Sequence, residues 1–391
     1  MGTPPLDGLR VAVHASGVAA AYAARLLGVQ GAEVIFVEPP CGSALRGEPP
    51  FLAQGEGAKP TSALFAYLAA GARSMTCDLA TGDGQAALGA LLSECDIFID
   101  DSPRAGRRNP NPGLSLDEAA LSARHPQLVH VSVLPFGAYG PKADWQASEI
   151  TVQHASGEGN LLPNGLSVEL FPDRAPVKIA GHFAEMQGGI AAALGALSAL
   201  WVRDEVGGQF VDIASQDAAL AVGAFAIQRL GDGSIEHRVE RSFRYGGVIP
   251  CVDGHVELLT LEQRQWDGLV KLLGSPQWAL DPALADSLER SRRGPEINRH
   301  IREWAIVRKV DDIVAEGQRL SVPIGRYKTP VDILHGAQEH HRGLFQPVPI
   351  SEIGLVNMLV SPVHVDGAPL SLRGGPPELG EMNKVGAEVL S

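Results

Sequence analysis

A long stretch without charge, Gly188 to Val202, constrains the fold more than any other part of the chain. It consists mostly of Ala, Gly and Leu, whose small or smooth side chains let a helix approach its neighbours closely. A helix that is polar on no face belongs inside a domain, so this one is expected to be buried. One carboxylate, Glu185, stands just before the run, in Ala184-Glu185-Met186-Gln187-Gly188-Gly189. In a first helical turn the dipole favours a negative charge. The N–H groups of Gly188 and Gly189, unshielded by Cβ atoms, suit a developing oxyanion. A carboxylate so placed reads either as a helix cap or as a nucleophile, and the residue types alone leave both open.

The remaining composition removes several classes. At 391 residues the chain exceeds one ordinary core, so two domains are expected. A net charge of −13 argues against a nucleic-acid partner, and a 5% aromatic share supplies no base-stacking platform. Any phosphorylated ligand must then be held by local arginines or helix N-termini rather than by the global field. The four cysteines, Cys41, Cys77, Cys95 and Cys251, form no CxxC and read as free thiols of a reducing compartment. MGTPPLDGLR shows no secretory leader, and the Gly188–Val202 run falls short of the roughly 20 apolar residues of a membrane span, so a cytoplasmic protein with no membrane partner is expected. His335, Glu339, His340 and His341 match no standard metal spacing and read as a solvated loop; no metal is expected.

The order of elements points to an α/β fold. Arg10 to His14 reads as a strand, Ala19 to Leu27 as a helix and Glu33 to Val37 as a second strand, a βαβ unit with a parallel sheet. Helices over 86–93 and 115–124, the latter capped by Ser115, alternate with strands over 96–99, 128–133 and 210–213. Near Leu230 the chain turns polar. Strands over 248–251 and 255–260 about an Asp253-Gly254 turn, then helices over 266–273, 295–307 and 311–319, suggest a smaller α/β domain. The expected division is 1–229 for a large Rossmann-like domain, 230–335 for the small one, and 336–391 for a tail of Pro-rich strands and a terminal helix.

The turn after the first strand is His14-Ala15-Ser16-Gly17-Val18-Ala19-Ala20, with Glu38 where a ribose-binding acid would stand. One glycine cannot build a GxGxxG loop, so nicotinamide-dependent redox chemistry is the weakest reading.

Glu185, Gly189, Arg203, Gly207-Gly208-Gln209 and Gln216-Asp217-Ala218 together resemble the catalytic helix of the class III CoA-transferases and the strand ending in QDA that follows it. That family includes formyl-CoA and carnitine CoA-transferases and α-methylacyl-CoA racemases. The resemblance spans nearly the whole chain. It takes in Leu6 to Val11, GAEVIFVEPP of residues 31 to 40, Ser74 to Gly84, His125 to Pro141, Val322 to Pro330 and Pro376 to Glu381. It implies a Rossmann-like large domain with a smaller second domain, an interlocked homodimer whose C-terminal segment returns to the large domain, and transfer of CoA between an acyl-CoA and a carboxylic acid. By the same resemblance no tightly bound cofactor is expected, with CoA and acyl-CoA as substrates.

By the same resemblance Glu185 is the nucleophile, standing where the family typically has Asp, and passes through a glutamyl anhydride and a glutamyl thioester. The Gly188 and Gly189 N–H groups are the candidates for its oxyanion hole. Glu149, in the Glu149-x-x-x-Gln153-His154-Ala155-Ser156-Gly157 motif, is implied to assist by orienting substrate or handling a proton, with a helix-start cap as its other reading. CoA contacts fall on Ser16, Val18, Phe136 and Gly137, and phosphate contacts on Arg46, Arg73 and Arg104. The chain departs from the family at Ala19-Ala20-Ala21, where an Ala-Gly-Pro step is usual, and at Ser148, where the racemases have His. Two alternatives therefore stand beside transfer: racemisation or isomerisation of an acyl-CoA, and retention of an acyl-CoA-like ligand without turnover.

Overall fold

The computed structural model describes residues 3–52, 60–102, 116, 118–161, 173, 175, 177–223 and 245–383. Arg104, the Ser115 cap, most of the loop over 102–113, the polar stretch after Leu230 and the terminal helix lie outside the described residues. The chain divides into two compact units. One comprises Met1–Gly159, Lys178–Gly233 and Ala337–Ser391, the other Asn160–Val177 and Ser234–Gly336.

The first unit is built on strands that read as near-continuous apolar runs, the mark of a sheet covered on both faces. In chain order its elements are β1 (Arg10–His14), α1 (Val18–Val29), β2 (Glu33–Glu38), α2 (Ala63–Leu68), β3 (Arg73–Thr76), α3 (Gly82–Leu92), β4 (Ile97–Asp100), α4 (Glu118–Arg124), β5 (Val129–Leu134), α5 (Glu149–Ala155), α6 (Phe183–Val206), β6 (Phe210–Ala214) and α7 (Ser215–Val222). The six strands pair in parallel in the order β3-β2-β1-β4-β5-β6, the order of doubly wound nucleotide-binding sheets. The order reverses between β1 and β4, and a crevice opens there beyond the carboxyl ends of the strands. β3 escapes the sequence pattern because four residues, RSMT, carry no usable alternation.

Alternation assigns the two faces. Val11, Val13, Ile97, Ile99, Val129 and Val131 meet α1 and α6, while Ala12, Ile35, Val37 and Phe98 meet Leu88, Leu91 and Leu92 of α3 and Leu121 of α4. The α1–α6 contact is almost wholly alanine: Ala20, Ala21, Ala23 and Ala24 on one side, Ala192, Ala193, Ala196 and Ala199 on the other. The Ala19-Ala20-Ala21 departure thus lies on the helix that α6 packs against. Gln216-Asp217-Ala218 does not end a strand. β6 stops at Ala214, and these residues form the first turns of α7.

α6 corrects the expectation of complete burial. It runs for 24 residues, long and apolar enough by composition to cross a bilayer, yet one side of it is packed into this core. Among the described residues its neighbours α1, α5, α7, β5 and β6 pack on that side, and Ile190, Leu194 and Trp201 form an exposed stripe on the other, Trp201 being 89% exposed. These three positions fall on one face at the helical period.

At the amino ends of the strands, acids and arginines form a belt. Arg10 pairs with Glu33 and Glu94, Arg73 with Glu33, and Arg203, near the end of α6, with Asp96. The antiparallel pair Phe345–Ile350 and Gly354–Leu359 adds a satellite cluster, in which Val348, Ile350, Met358 and Val360 pack on Val29 and Ala66.

The second unit has a three-stranded antiparallel sheet, Gly247–Cys251, Gly254–Leu258 and Ile324–Arg326. The helices Gln263–Leu272, Gly294–Ala305 and Val310–Arg319 share its core. The hairpin turn sits one residue earlier than expected, at Val252-Asp253, with Gly254 opening the second strand. Asp253 instead accepts the Val310 N–H at 2.8 Å.

A Cβ placed on Gly189 would lie 2.7 Å from the Ala19 carbonyl oxygen and 3.1 Å from the Tyr22 ring. Gly189→Ala gains helix propensity but meets rigid backbone. The variant is expected to lose about 1–3 kcal/mol of stability, read as a lower urea midpoint at unchanged slope.

Candidate active site

A cavity of about 640 Å³ opens at the carboxyl ends of β1, β4 and β5. Its wall includes Ser16, Val18, Asp101, Leu134, Trp145 and Glu185. It lies at the strand-order reversal, where a sheet of this kind binds its ligands.

The helix α5 reaches the start of α6 through one side chain. Glu149, 7% exposed, accepts the Ala184 N–H on Oε1 at 3.0 Å and the Glu185 N–H on Oε2 at 2.9 Å. Both oxygens are thereby used. Its own helix gains no cap from it; the carboxylate caps the neighbouring helix, whose N-terminal N–H groups would otherwise be orphaned. The structure therefore places Glu149 beside Glu185 as a holder of α6. Gln153, one turn along α5, accepts the Ile179 N–H at 3.0 Å and fixes the segment leading into α6.

Glu185 is the third residue of α6, in the first turn as expected. Its carboxylate is 21% exposed and bonds His182 Nδ1 at 2.6 Å through Oε2. Burial raises its pKa, the His182 bond opposes that rise, and the nearby Glu149 charge adds to it; the result lies above the usual carboxylate range. His182 is the N-cap residue, and its role was missed in the sequence. The available signal was its position three residues before Glu185, the spacing at which a side chain in the first turn reaches back to the cap.

Gly188 and Gly189 do not form the expected oxyanion hole. They are the sixth and seventh residues of α6, beyond the four N–H groups that a helix leaves free, so their donors serve its own ladder. Their missing side chains serve packing instead. A Cβ on Gly188 would lie 2.3 Å from Ser215 Oγ, and one on Gly189 would strike Ala19.

Of the expected CoA contacts, Ser16 and Val18 line the cavity with Glu185. Ser16 is tied to Asp101, which accepts its N–H at 2.9 Å and its hydroxyl at 3.0 Å, as well as the Gly17 N–H at 2.6 Å. The anion position at the start of α1, where a dinucleotide pyrophosphate sits in this topology, is thus filled by the chain's own carboxylate. Burial pushes the Asp101 pKa up, against the lowering effect of those backbone bonds.

Phe136 and Gly137 follow β5. The Phe136 ring meets Trp145 edge-on at 6.0 Å, and Lys142 Nζ lies within 5.5 Å of both ring centres. Gly137 has φ +80° and packs beside Asp212. Trp145 and Asp101 are cavity residues that sequence reasoning missed; a lone tryptophan and a second aspartate at a strand end carry no recognisable spacing.

The two described phosphate candidates are engaged elsewhere. Arg46 makes a two-pronged pair with Glu38, Nε to Oε2 and Nη2 to Oε1, both 2.7 Å, and lies over the Phe65 ring. Glu38 also accepts from Ser43 N–H and Ser74 Oγ, which occupies the acid a ribose would require. Burial raises the Glu38 pKa, but the Arg46, Ser43 and Ser74 bonds outweigh it and leave the group below the usual range. Arg73 reaches back to Glu33 in the amino-end belt. Neither arginine lines the cavity. Among the described residues no cluster of His, Cys, Asp or Glu is arranged to hold a metal.

Comparison with known proteins gives this geometry a family. The family described as CoA-transferase family III matches residues 6–383. A succinate–glutarate CoA-transferase of Agrobacterium fabrum is 26% identical, over 97% of this chain and 94% of its own. A succinyl-CoA:(R)-benzylsuccinate CoA-transferase subunit of Thauera aromatica is 30% identical, over 85% of this chain and 82% of its own. The crystal structure of a CAIB/BAIF family protein from Brucella suis superposes with a TM-score of 0.84 at 28% identity, covering all of both chains. A family match that runs through residues 6–383, nearly the whole chain, has one meaning: the chain belongs to CoA-transferase family III.

Proposed function

We propose that the protein transfers CoA from an acyl-CoA to a carboxylic acid, with Glu185 as the nucleophile. The observation that carries this reading is the Glu185 carboxylate on the cavity wall, in the first turn of α6. Glu185 attacks the thioester carbonyl and displaces CoA thiolate, leaving a mixed glutamyl anhydride. The thiolate attacks the glutamyl carbonyl, releases the first acid and leaves a glutamyl-CoA thioester. An incoming carboxylate reverses both steps and departs as the new acyl-CoA. The acids named for the relatives, glutarate and benzylsuccinate, set the first panel of acceptors, with succinyl-CoA as donor.

Turnover with hydroxylamine present is expected to inactivate the enzyme and leave a hydroxamate on Glu185, found by peptide mass spectrometry. Glu185→Ala should lower turnover on the order of a thousandfold or more; a variant that retains full turnover removes Glu185 from the mechanism.

The acid limb of the rate profile follows from the site's charges. Glu185 reacts only when ionised, and its raised pKa places the limb above the ordinary carboxylate range. Glu149→Gln removes the like charge, so the limb is expected to move to lower pH. The same change turns an amide N–H toward one of the two backbone donors, and the resulting mismatch costs roughly 1–3 kcal/mol at the start of α6. A kcat/KM profile of both proteins reads the shift directly.

A homodimer is part of the proposal, supported by the family resemblance and by the apolar stripe Ile190, Leu194 and Trp201. Trp201→Glu is expected to shift the protein toward monomer in sedimentation, and an unchanged mass removes the stripe from the interface.

The His182–Glu185 pair favours one second reading, proton exchange at the α-carbon of an acyl-CoA. Deuterium entering that carbon from solvent, with no acceptor acid present, would support it over transfer.

A further inference from the structure

The donors around the start of α6 are nearly all committed. The N–H groups of Ala184 and Glu185 donate to Glu149, and those of Gly188 and Gly189 lie inside the helical ladder. Lys178 Nζ donates to the Ile179 and Gly181 carbonyls. Among the described residues, the side-chain donor that reaches the Glu185 carboxylate is His182 Nδ1, 2.6 Å from Oε2. With the carboxylate ionised, the shared proton resides on the imidazole.

We propose that His182 is a catalytic residue, the oxyanion donor for the glutamyl carbonyl. The inference rests on the reading of Glu185 as nucleophile. Once Oε1 has taken the acyl group, the anhydride offers the CoA thiolate two carbonyl carbons. Attack on the acyl carbon merely reverses the first step. Attack on Glu185 Cδ forms the Cδ–S bond, breaks Cδ–Oε1, and sends Oε1 away in the departing carboxylate. During that step the negative charge gathers on Oε2, the atom His182 already bonds. A preset donor at that atom lowers the barrier to the productive direction. When the second acid attacks the glutamyl thioester, charge returns to the same oxygen, so one imidazole serves both halves of the reaction. The arrangement also suits a glutamate, whose longer chain spans from the third helical position back to the N-cap side chain.

Two variants and two rates test this. His182→Leu keeps bulk without a donor, and His182→Asn places an amide N–H near the position of Nδ1. With succinyl-CoA as donor, transfer to an acceptor acid reports the whole sequence. Exchange of radiolabelled free CoA into succinyl-CoA reports anhydride formation and its reversal. His182→Leu is expected to lower kcat for transfer about a hundredfold while leaving most of the exchange, and His182→Asn to recover transfer to within about tenfold of the unmodified enzyme. Retained exchange also shows the variant to be folded. Parallel loss of exchange and transfer, or unimpaired transfer in His182→Leu, overturns the proposal. A Glu185 hydroxamate in the unmodified enzyme confines either failure to His182. Its absence overturns the nucleophile assignment and this inference with it.

Discussion

One carboxylate holds the start of α6 at the cavity. Glu149 sits almost fully buried and gives both oxygens to the first N–H groups of α6, so the helix that carries Glu185 is fixed in position by a side chain from another helix. The helix dipole rewards this, since a negative charge at that end is stabilised by the same peptide groups it caps. The arrangement has a second effect. It places a like charge beside Glu185 and adds to the upward shift of that carboxyl's pKa, which burial chiefly causes. Structural support and electrostatic tuning therefore come from the same residue.

The arginines show how motif and environment differ. Arg46 and Arg73 stand at the positions where the family resemblance implies phosphate contacts, yet each has been drawn into an ion pair with an acid of β2. An arginine fork closed on a carboxylate presents fewer donors to a phosphate. A similar substitution occurs at the head of α1, where Asp101 fills the place of a bound anion. The chain has thus internalised several of the charges that an open phosphate site would expose.

Much of the fold was legible because burial imposes simple patterns. The apolar strands, the alanine-rich helices and the position of Glu185 in a first turn all follow from local sequence. β3 was invisible because four residues cannot display a period, and the exposed stripe of α6 was invisible because an apolar residue reads the same whether it faces a core or a surface. The site was read less completely. Glu185 and Glu149 stood out as acids at helix starts, but which helix Glu149 caps depends on a tertiary contact between residues 36 positions apart in the chain. Glycine gave the opposite error. Gly188 and Gly189 look like anion-binding glycines in sequence, whereas their absent side chains make room for Ser215 and Ala19. Whether a glycine frees a donor or admits a neighbour is decided by its position along the helix.

The 24 residues of α6 span about 36 Å, and both ends are anchored. Glu149 grips the first turn, and Asp96 grips Arg203 near the last. Mechanically this is a beam clamped at each end, which bends far less than one clamped at a single end. The helix that carries Glu185 is therefore held partly by an ion pair at the amino ends of the strands, away from the cavity at their carboxyl ends. The amino-end belt of charges, remote from the cavity, acts as the far abutment of the helix that carries Glu185.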